Sequence, residues 1–385
     1  VEVVEHDEVI IRSADYIIDI GPEAGRLGGE VVFQGTFDEL LRSKKSLTAA
    51  YLRGMIQPEK ADALMVPMPK RRRKWHNYIE IIGAREHNLK NIDVKIPLEI
   101  LTVVTGVSGS GKSTLIKDIL YPGLRKKLED SSIRVGKHKN IDADMNHISE
   151  IVIVDQNPIG KTSRSNPALY IKAYDDIREL FASQPLAKQR NYKAGFFSFN
   201  SPGGRCEECE GEGVIHVGMQ FMADVDIECS ECHGKRFKDE ILEVKIAGKD
   251  INDILGMTIN QAVEYFESIR SVHRTVPNII SKLKFLQDVG LGYLKMGQPS
   301  QTLSGGESQR VKIATELAKR STGKTVYILD EPTTGVDPVA RREFWAMLYE
   351  LNASEGLTIV VSTPYMDEAA LCSRKMFFSK GKLLD

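Results

Sequence analysis

Leu101-Thr-Val-Val-Thr-Gly106-Val-Ser108-Gly109-Ser110-Gly111-Lys112-Ser113-Thr114 decides the fold: an apolar strand runs into a glycine-rich turn, and the turn opens a helix. This is the setting a phosphate-binding loop requires. Glycines at 106, 109 and 111 let backbone N–H groups point at a phosphate, and the helix N-terminus adds partial positive charge. Lys112 is then the candidate bridge between β- and γ-phosphates and Ser113 the candidate Mg²⁺ ligand, with Ser108, Ser110 and Thr114 completing the nucleotide contacts. An α/β nucleotide-binding ATPase core is expected around it.

Two downstream stretches support that reading. Val326-Tyr-Ile-Leu-Asp330-Glu331 is an apolar strand ending in two carboxylates, which suits Asp330 to a Mg²⁺ shell and Glu331 to polarising a water. Leu303-Ser304-Gly305-Gly306-Glu307-Ser-Gln places a serine and two glycines at a helix start, a second anion site that works on nucleotide held across a dimer interface. Strands are expected at 78–82, 101–104, 151–154, 325–329 and 357–362, with helices at 112–119, 308–320 and 339–351.

Between these motifs lie Cys206-x2-Cys209-x19-Cys229-x2-Cys232, the spacing of a four-thiolate zinc site. Four cysteines leave no open coordination position, so the metal is structural, and His216 and His233 are not needed as ligands. Phosphoryl transfer requires no zinc; the insert must grip a partner or stiffen a contact surface. Paired thiols of this kind, with Cys372 alone, fit a reducing compartment, and the cytoplasm is expected. Net charge is −1, so no global field draws nucleic acid, and DNA binding would rest on local cations. The candidates flank the cysteines: Lys161, Arg164, Arg190, Lys193 and Arg205. No apolar run approaches the length of a membrane span, and none reads as a signal peptide.

Five segments are expected. Residues 1–56 read as the tail of an earlier ATPase domain, since 3–21 echo the strand, turn, helix, strand order of 360–381. A Pro-rich, basic linker with Lys70-Arg-Arg-Arg-Lys74 covers 57–77. The ATPase core with the phosphate loop occupies 78–159, the cysteine-bearing insert 160–300, and the signature helix with the carboxylate strand 301–385. Val1 already lies in a strand-like run with no initiator Met, so a fragment of a longer protein is expected.

Together the phosphate loop, Gln156 after an apolar strand, Leu-Ser-Gly-Gly, Asp330-Glu331 and Thr333-Thr-Gly-Val-Asp337 resemble the ATP-binding cassette superfamily. The resemblance implies an α/β P-loop ATPase with a zinc-binding, signature-bearing helical insert, a catalytic Gln156, and two composite ATP sites in a head-to-tail dimer. Asn88-Leu-Lys-Asn-Ile-Asp, Asp155-Gln-Asn-Pro-Ile-Gly-Lys-Thr-Ser-Arg and Phe199-Asn-Ser-Pro-Gly-Gly-Arg-Cys-Glu-Glu-Cys are similar to the second ATPase half of the excinuclease A family, up to about residue 335. That implies a damage-sensing, DNA-binding ATPase of bacterial nucleotide excision repair, dimeric, which loads the helicase-like excinuclease B. Beyond 335, Val336-Asp-Pro-Val-Ala-Arg-Arg and Ser362-Thr-Pro-Tyr-Met-Asp-Glu-Ala resemble an exporter-type ATPase, and Pro364 stands where a switch histidine is expected. Two other readings stay open: a transporter-type or translation-associated ATPase, and a nucleotide-binding module with impaired hydrolysis. The cysteine insert argues against the exporter.

Overall fold

The computed structural model describes residues 3–4, 8–21, 29–56, 74–129, 132–160, 162, 164–218, 225–319, 324–334, 336 and 338–384. It divides into two compact units, Val1–Gln156 with Arg320–Asp385, and Asn157–Lys319.

The first unit is built on a six-stranded sheet. Its order is Lys382–Leu384, Arg374–Ser379, Leu101–Thr105, Thr358–Thr363, Thr325–Asp330, Glu150–Val154. All pair in parallel except the antiparallel edge strand Lys382–Leu384. Every residue of the three inner strands at 101–105, 325–330 and 358–363 is buried. Burial on both faces explains why these stretches read as unbroken apolar runs instead of alternating ones. Register places Thr105 beside Thr363 and Asp330 beside Ser362, so the phosphate loop and the carboxylate pair leave the same end of the sheet. An antiparallel sheet, Ile92–Pro97, Tyr78–Ala84 and Asn140–Asp142, shares the core through Ile79, Ile81, Val94 and Ile96.

After the loop the helix runs further than expected, as a π-helical stretch Thr114–Leu120 followed by an α-helix Tyr121–Glu129. At the N-terminal end, helix Glu8–Ser13 and the hairpin of Ile17–Gly21 with Glu30–Gly35 carry a separate small core of Leu40, Ala49 and Leu52. The strand expected at the very start of the chain is not found at its described residues: Val3 and Val4 are irregular and exposed. Of the expected linker, residues 57–73, including most of the basic run, lie outside the described residues.

The second unit is mainly helical. Helices Ala173–Ala182, Ile259–Ser268, Val276–Asp288 and Gly305–Leu317 make up most of it, and the buried rings of Tyr174, Phe199 and Phe237 pack in series, as do those of Phe181 and Phe197. The signature helix therefore groups with the cysteine segment, not with 320–385, because it packs against Val276–Asp288 and Pro167–Tyr170. Among the described residues no helix is long and apolar enough to cross a membrane.

Candidate functional site

The phosphate loop is held by backbone geometry that only glycine satisfies. Gly106 has φ +145°, and a Cβ there would come within 2.1 Å of the Phe378 carbonyl oxygen; Gly111 has φ +108°, and its Cβ would meet Leu89 at 2.8 Å. The turn is pinned from outside: the Asn88 side-chain amide donates to the Gly109 carbonyl at 2.7 Å, and the Gly381 N–H donates to the Ser110 carbonyl at 3.0 Å. Val107, Ser108 and Gly109 remain exposed, as does Ser113, so the rim of the loop and its hydroxyl face solvent.

Lys112 is buried, its Nζ donating to the Gly106 and Val107 carbonyls at 2.7 and 3.1 Å. Burial pulls its pKa below the ordinary lysine value, while Glu331 and Asp330 pull it back. The ammonium is thus already seated inside the loop, and a bound triphosphate would find the cation in position.

Asp330 closes the buried strand, and its carboxylate pairs with the Lys117 ammonium at 2.6 Å. Glu331 adopts φ +50°, left-handed for a residue with a Cβ, and its N–H donates to the Ser362 carbonyl at 2.8 Å. Such backbone costs on the order of 1–3 kcal/mol and persists where the surroundings over-determine it, commonly at functional sites. The Gln156 side-chain amide donates to the Glu331 carbonyl at 2.9 Å, so the structure brings together Gln156, Asp330, Glu331 and Lys112 within one unit. Ser113 and Asp330 offer hard oxygen donors of the kind Mg²⁺ takes.

In the second unit, Ser304 caps the helix Gly305–Leu317. Its hydroxyl accepts from the Glu307 N–H at 3.2 Å, and its own N–H donates to the Glu307 carboxylate at 2.7 Å. The Tyr293 hydroxyl fixes Glu307 from the other side at 2.6 Å. Ser304 and Gly305 are exposed and Gly306 is buried. The capping box holds the first turn rigid with its outer residues facing solvent.

The four cysteines converge. Their sulfurs lie within 4.8 Å of one another, with Cys206–Cys229 at 3.9 Å and Cys209–Cys232 at 3.5 Å, and all four are buried. A tetrahedral ion with bonds of about 2.3 Å to sulfur needs sulfurs roughly 3.8 Å apart, and the observed spacings fit it. Two knuckles aim them: Glu212 N–H donates to the Cys209 carbonyl and Lys235 N–H to the Cys232 carbonyl, both at 2.9 Å, while the Gly213 N–H donates to the Cys209 sulfur at 3.2 Å. Burial pushes the Cys232 thiol up to about 12 and raises Cys206. Backbone donors from Cys232 and Glu231 lower Cys229. His216 and His233 are exposed; His216 is held between Glu212 and Asp226 and not by the sulfurs.

The candidate DNA cations are less available than the sequence implied. Arg164 pairs with Glu212 at 3.2 Å and Glu210 at 3.5 Å; Arg205, only 15% exposed, lies between Glu207 and Glu210; Arg190 pairs with Glu243. Lys193 is exposed, and Lys161 lies outside the described residues. Phe197 and Phe199, close to these cations in sequence, are fully buried and build core, while Tyr192 and Phe196 are half-buried.

Sequence reasoning missed two residues. Lys117 stands four positions after Ser113, one helical turn on the same face, a signal that was readable. Glu368 is 1% exposed and accepts hydrogen bonds from Thr333 (2.5 Å), Thr363 (2.6 Å) and Trp345 (3.2 Å), with Arg341 at 3.8 Å. Burial raises its pKa against those donors. No local pattern announces it, because its partners come from three separate segments.

Comparison with known proteins agrees with this geometry. A family model described as ABC transporter matches residues 232–334. UvrABC system protein A from Clostridium perfringens is 54% identical over 335 residues, 87% of this chain and 34% of that protein. The Clostridium acetobutylicum protein of the same name is 49% identical over 366 residues, 95% of this chain and 37% of its own length. That span leaves too few residues outside it to exclude the whole stretch after 335, so the likeness continues beyond the point where the exporter-like motifs begin. The crystal structure of UvrA2 from Deinococcus radiodurans superposes with a TM-score of 0.86 at 40% identity, covering 99% of this chain and 44% of that one. The chain spans little more than a third of the curated relatives' length. It has the α/β ABC ATPase fold with a four-cysteine cluster able to hold a metal, and it is closely related to UvrABC system protein A.

Proposed function

We propose that this chain binds and hydrolyses ATP, and that the nucleotide cycle controls self-association and engagement of DNA in the manner of the damage-recognition ATPase of bacterial nucleotide excision repair. The observation that carries the reading is the joint presence, at 49–54% identity to UvrABC system protein A, of an intact phosphate loop with its carboxylate pair and a four-cysteine centre. ATP hydrolysis alone needs only the first; a macromolecular partner explains the second.

In this reading Lys112 neutralises the β- and γ-phosphates and the loop N–H groups cradle them. Ser113 and Asp330 would hold Mg²⁺, which would supply charge neutralisation. Glu331 takes the proton from the attacking water, and Gln156 braces Glu331 through its carbonyl. Ser304, Gly305 and Gly306 of a second copy close over the nucleotide. Cys206, Cys209, Cys229 and Cys232 would hold Zn²⁺, which would stiffen a surface for damaged duplex DNA. The helicase-like excinuclease B is the protein partner, in the cytoplasm.

The experiment is ATP turnover and DNA affinity on this chain across a salt series. Turnover and DNA binding that weakens steeply with salt, as phosphate contacts release counterions, are expected; salt-independent binding, or none at low salt, overturns the DNA reading. A second reading, a nucleotide-binding module with impaired hydrolysis, is favoured by Pro364 following the strand Thr358–Thr363. It predicts ATP binding without turnover.

A further inference from the structure

Lys117 is absent from the motifs that define the nucleotide site, yet its ammonium lies 2.6 Å from Asp330 Oδ2. Asp330 ends a fully buried strand and its side chain is 12% exposed, so its carboxylate has little water to stabilise it and needs a counter-charge. Ser113 and Lys117 stand four residues apart on the helix that leaves the phosphate loop. The helix is widened there: the Tyr121 N–H reaches back to the Ile116 carbonyl, and the π-helical stretch spans Thr114–Leu120. Such stretches are rare and recur at functional sites. Ser113 and Asp330 are the two oxygen donors assigned above to the divalent cation, and Lys117 occupies the side of Asp330 that faces that helix.

Asp155 and Glu331 stand behind Asp330, so the Lys117 ammonium faces a cluster of carboxylates. The side chain is 42% exposed, so it has water to move into when displaced. We propose that Lys117 is a built-in counter-ion that occupies the cation corner of the nucleotide site, so that its ammonium and a divalent cation compete for the Asp330 carboxylate. This rests on the reading of Asp330 as a cation ligand. Lys117 is a positioning residue: it holds Asp330 in place without the ion, and it sets how much cation is needed to load the site.

The test is Mn²⁺ binding to the nucleotide-free, zinc-loaded chain, followed by the electron-spin resonance of free Mn²⁺. Lys117→Met removes the competing charge and is expected to tighten Mn²⁺ by roughly tenfold, the scale of two unit charges about 3 Å apart at a dielectric near that of water. Lys117→Arg keeps the charge and should bind Mn²⁺ as the unsubstituted chain does. Adding Asp330→Asn to Lys117→Met should abolish the gain, which places it at this carboxylate. Unchanged Mn²⁺ affinity in a folded Lys117→Met chain, or a gain that survives Asp330→Asn, overturns the proposal. Because no nucleotide or DNA enters the titration, a chain that fails to turn over ATP leaves this result readable.

Discussion

At the scale of single residues, the end of the strand Thr358–Thr363 is where the proposed turnover can be tested most directly. Pro364, half-buried directly after it, follows a strand paired on one side with the phosphate-loop strand and on the other with the carboxylate strand. A histidine there would present a ring nitrogen toward a γ-phosphate; proline has no side-chain donor and no N–H. One polar contact to the transition state is worth about a hundredfold in rate, so Pro364→His is expected to raise turnover at saturating ATP by up to that factor with ATP affinity nearly unchanged. An unchanged rate would mean that something other than the missing ring limits hydrolysis. Four residues on, Glu368 is the buried acceptor for Thr333, Thr363 and Trp345. Glu368→Ala leaves these donors and Arg341 without their acceptor, and should destabilise the fold by about 2–4 kcal/mol. Urea unfolding measures it, and a loss below about 1 kcal/mol would show that the network relaxes freely.

At the scale of elements, what was legible follows from how local each signal is. The phosphate loop, the carboxylate strand and the cysteine knuckles were readable because each places its chemistry within a dozen residues, and the structure seats them in those settings. The boundary of the insert was not, since the grouping of helix Gly305–Leu317 depends on packing against Val276–Asp288 and Pro167–Tyr170. The pairing of the cations near the knuckles was hidden for a similar reason: charge counting along the chain does not show that Glu207, Glu210 and Glu212 turn back toward Arg164 and Arg205. The knuckle module itself has almost no core beyond the sulfurs, with Ile215 as its one partly buried apolar neighbour among the described residues. A metal held by the sulfurs would supply its folding energy, on the order of 10 kcal/mol for such sites. Stripping it with a strong chelator is expected to free four reactive thiols and abolish amide protection over 205–217 and 225–236, while the phosphate-loop unit keeps its protection. Metal analysis of the untreated protein should find one zinc per chain, and protected knuckles after complete metal removal would contradict a structural role.

At the scale of the whole molecule, near-zero net charge and a division into two units leave one question: which chain completes the nucleotide site. The phosphate loop belongs to the unit of Val1–Gln156 with Arg320–Asp385, and the signature serine to Asn157–Lys319. Each presents an exposed rim, Val107–Gly109 in one and Ser304–Gly305 in the other, and an anion-binding helix start facing solvent is incomplete without a ligand from elsewhere. If two copies join head to tail, Lys112 of one chain works with Ser304 of the other. Lys112→Ala and Ser304→Arg chains should then each fail to trap ATP alone. Mixed, random dimers give half of their number as heterodimers, and each heterodimer holds one intact site of two, so trapping should return to about a quarter of the unsubstituted level. Filtration of radiolabelled nucleotide, with sedimentation to follow association, reads both. Recovery in the mixture is the signature of a site shared between chains, because neither variant carries an intact pair within itself. No recovery, with both variants folded and ATP-dependent association intact, would mean that a single chain closes its own site.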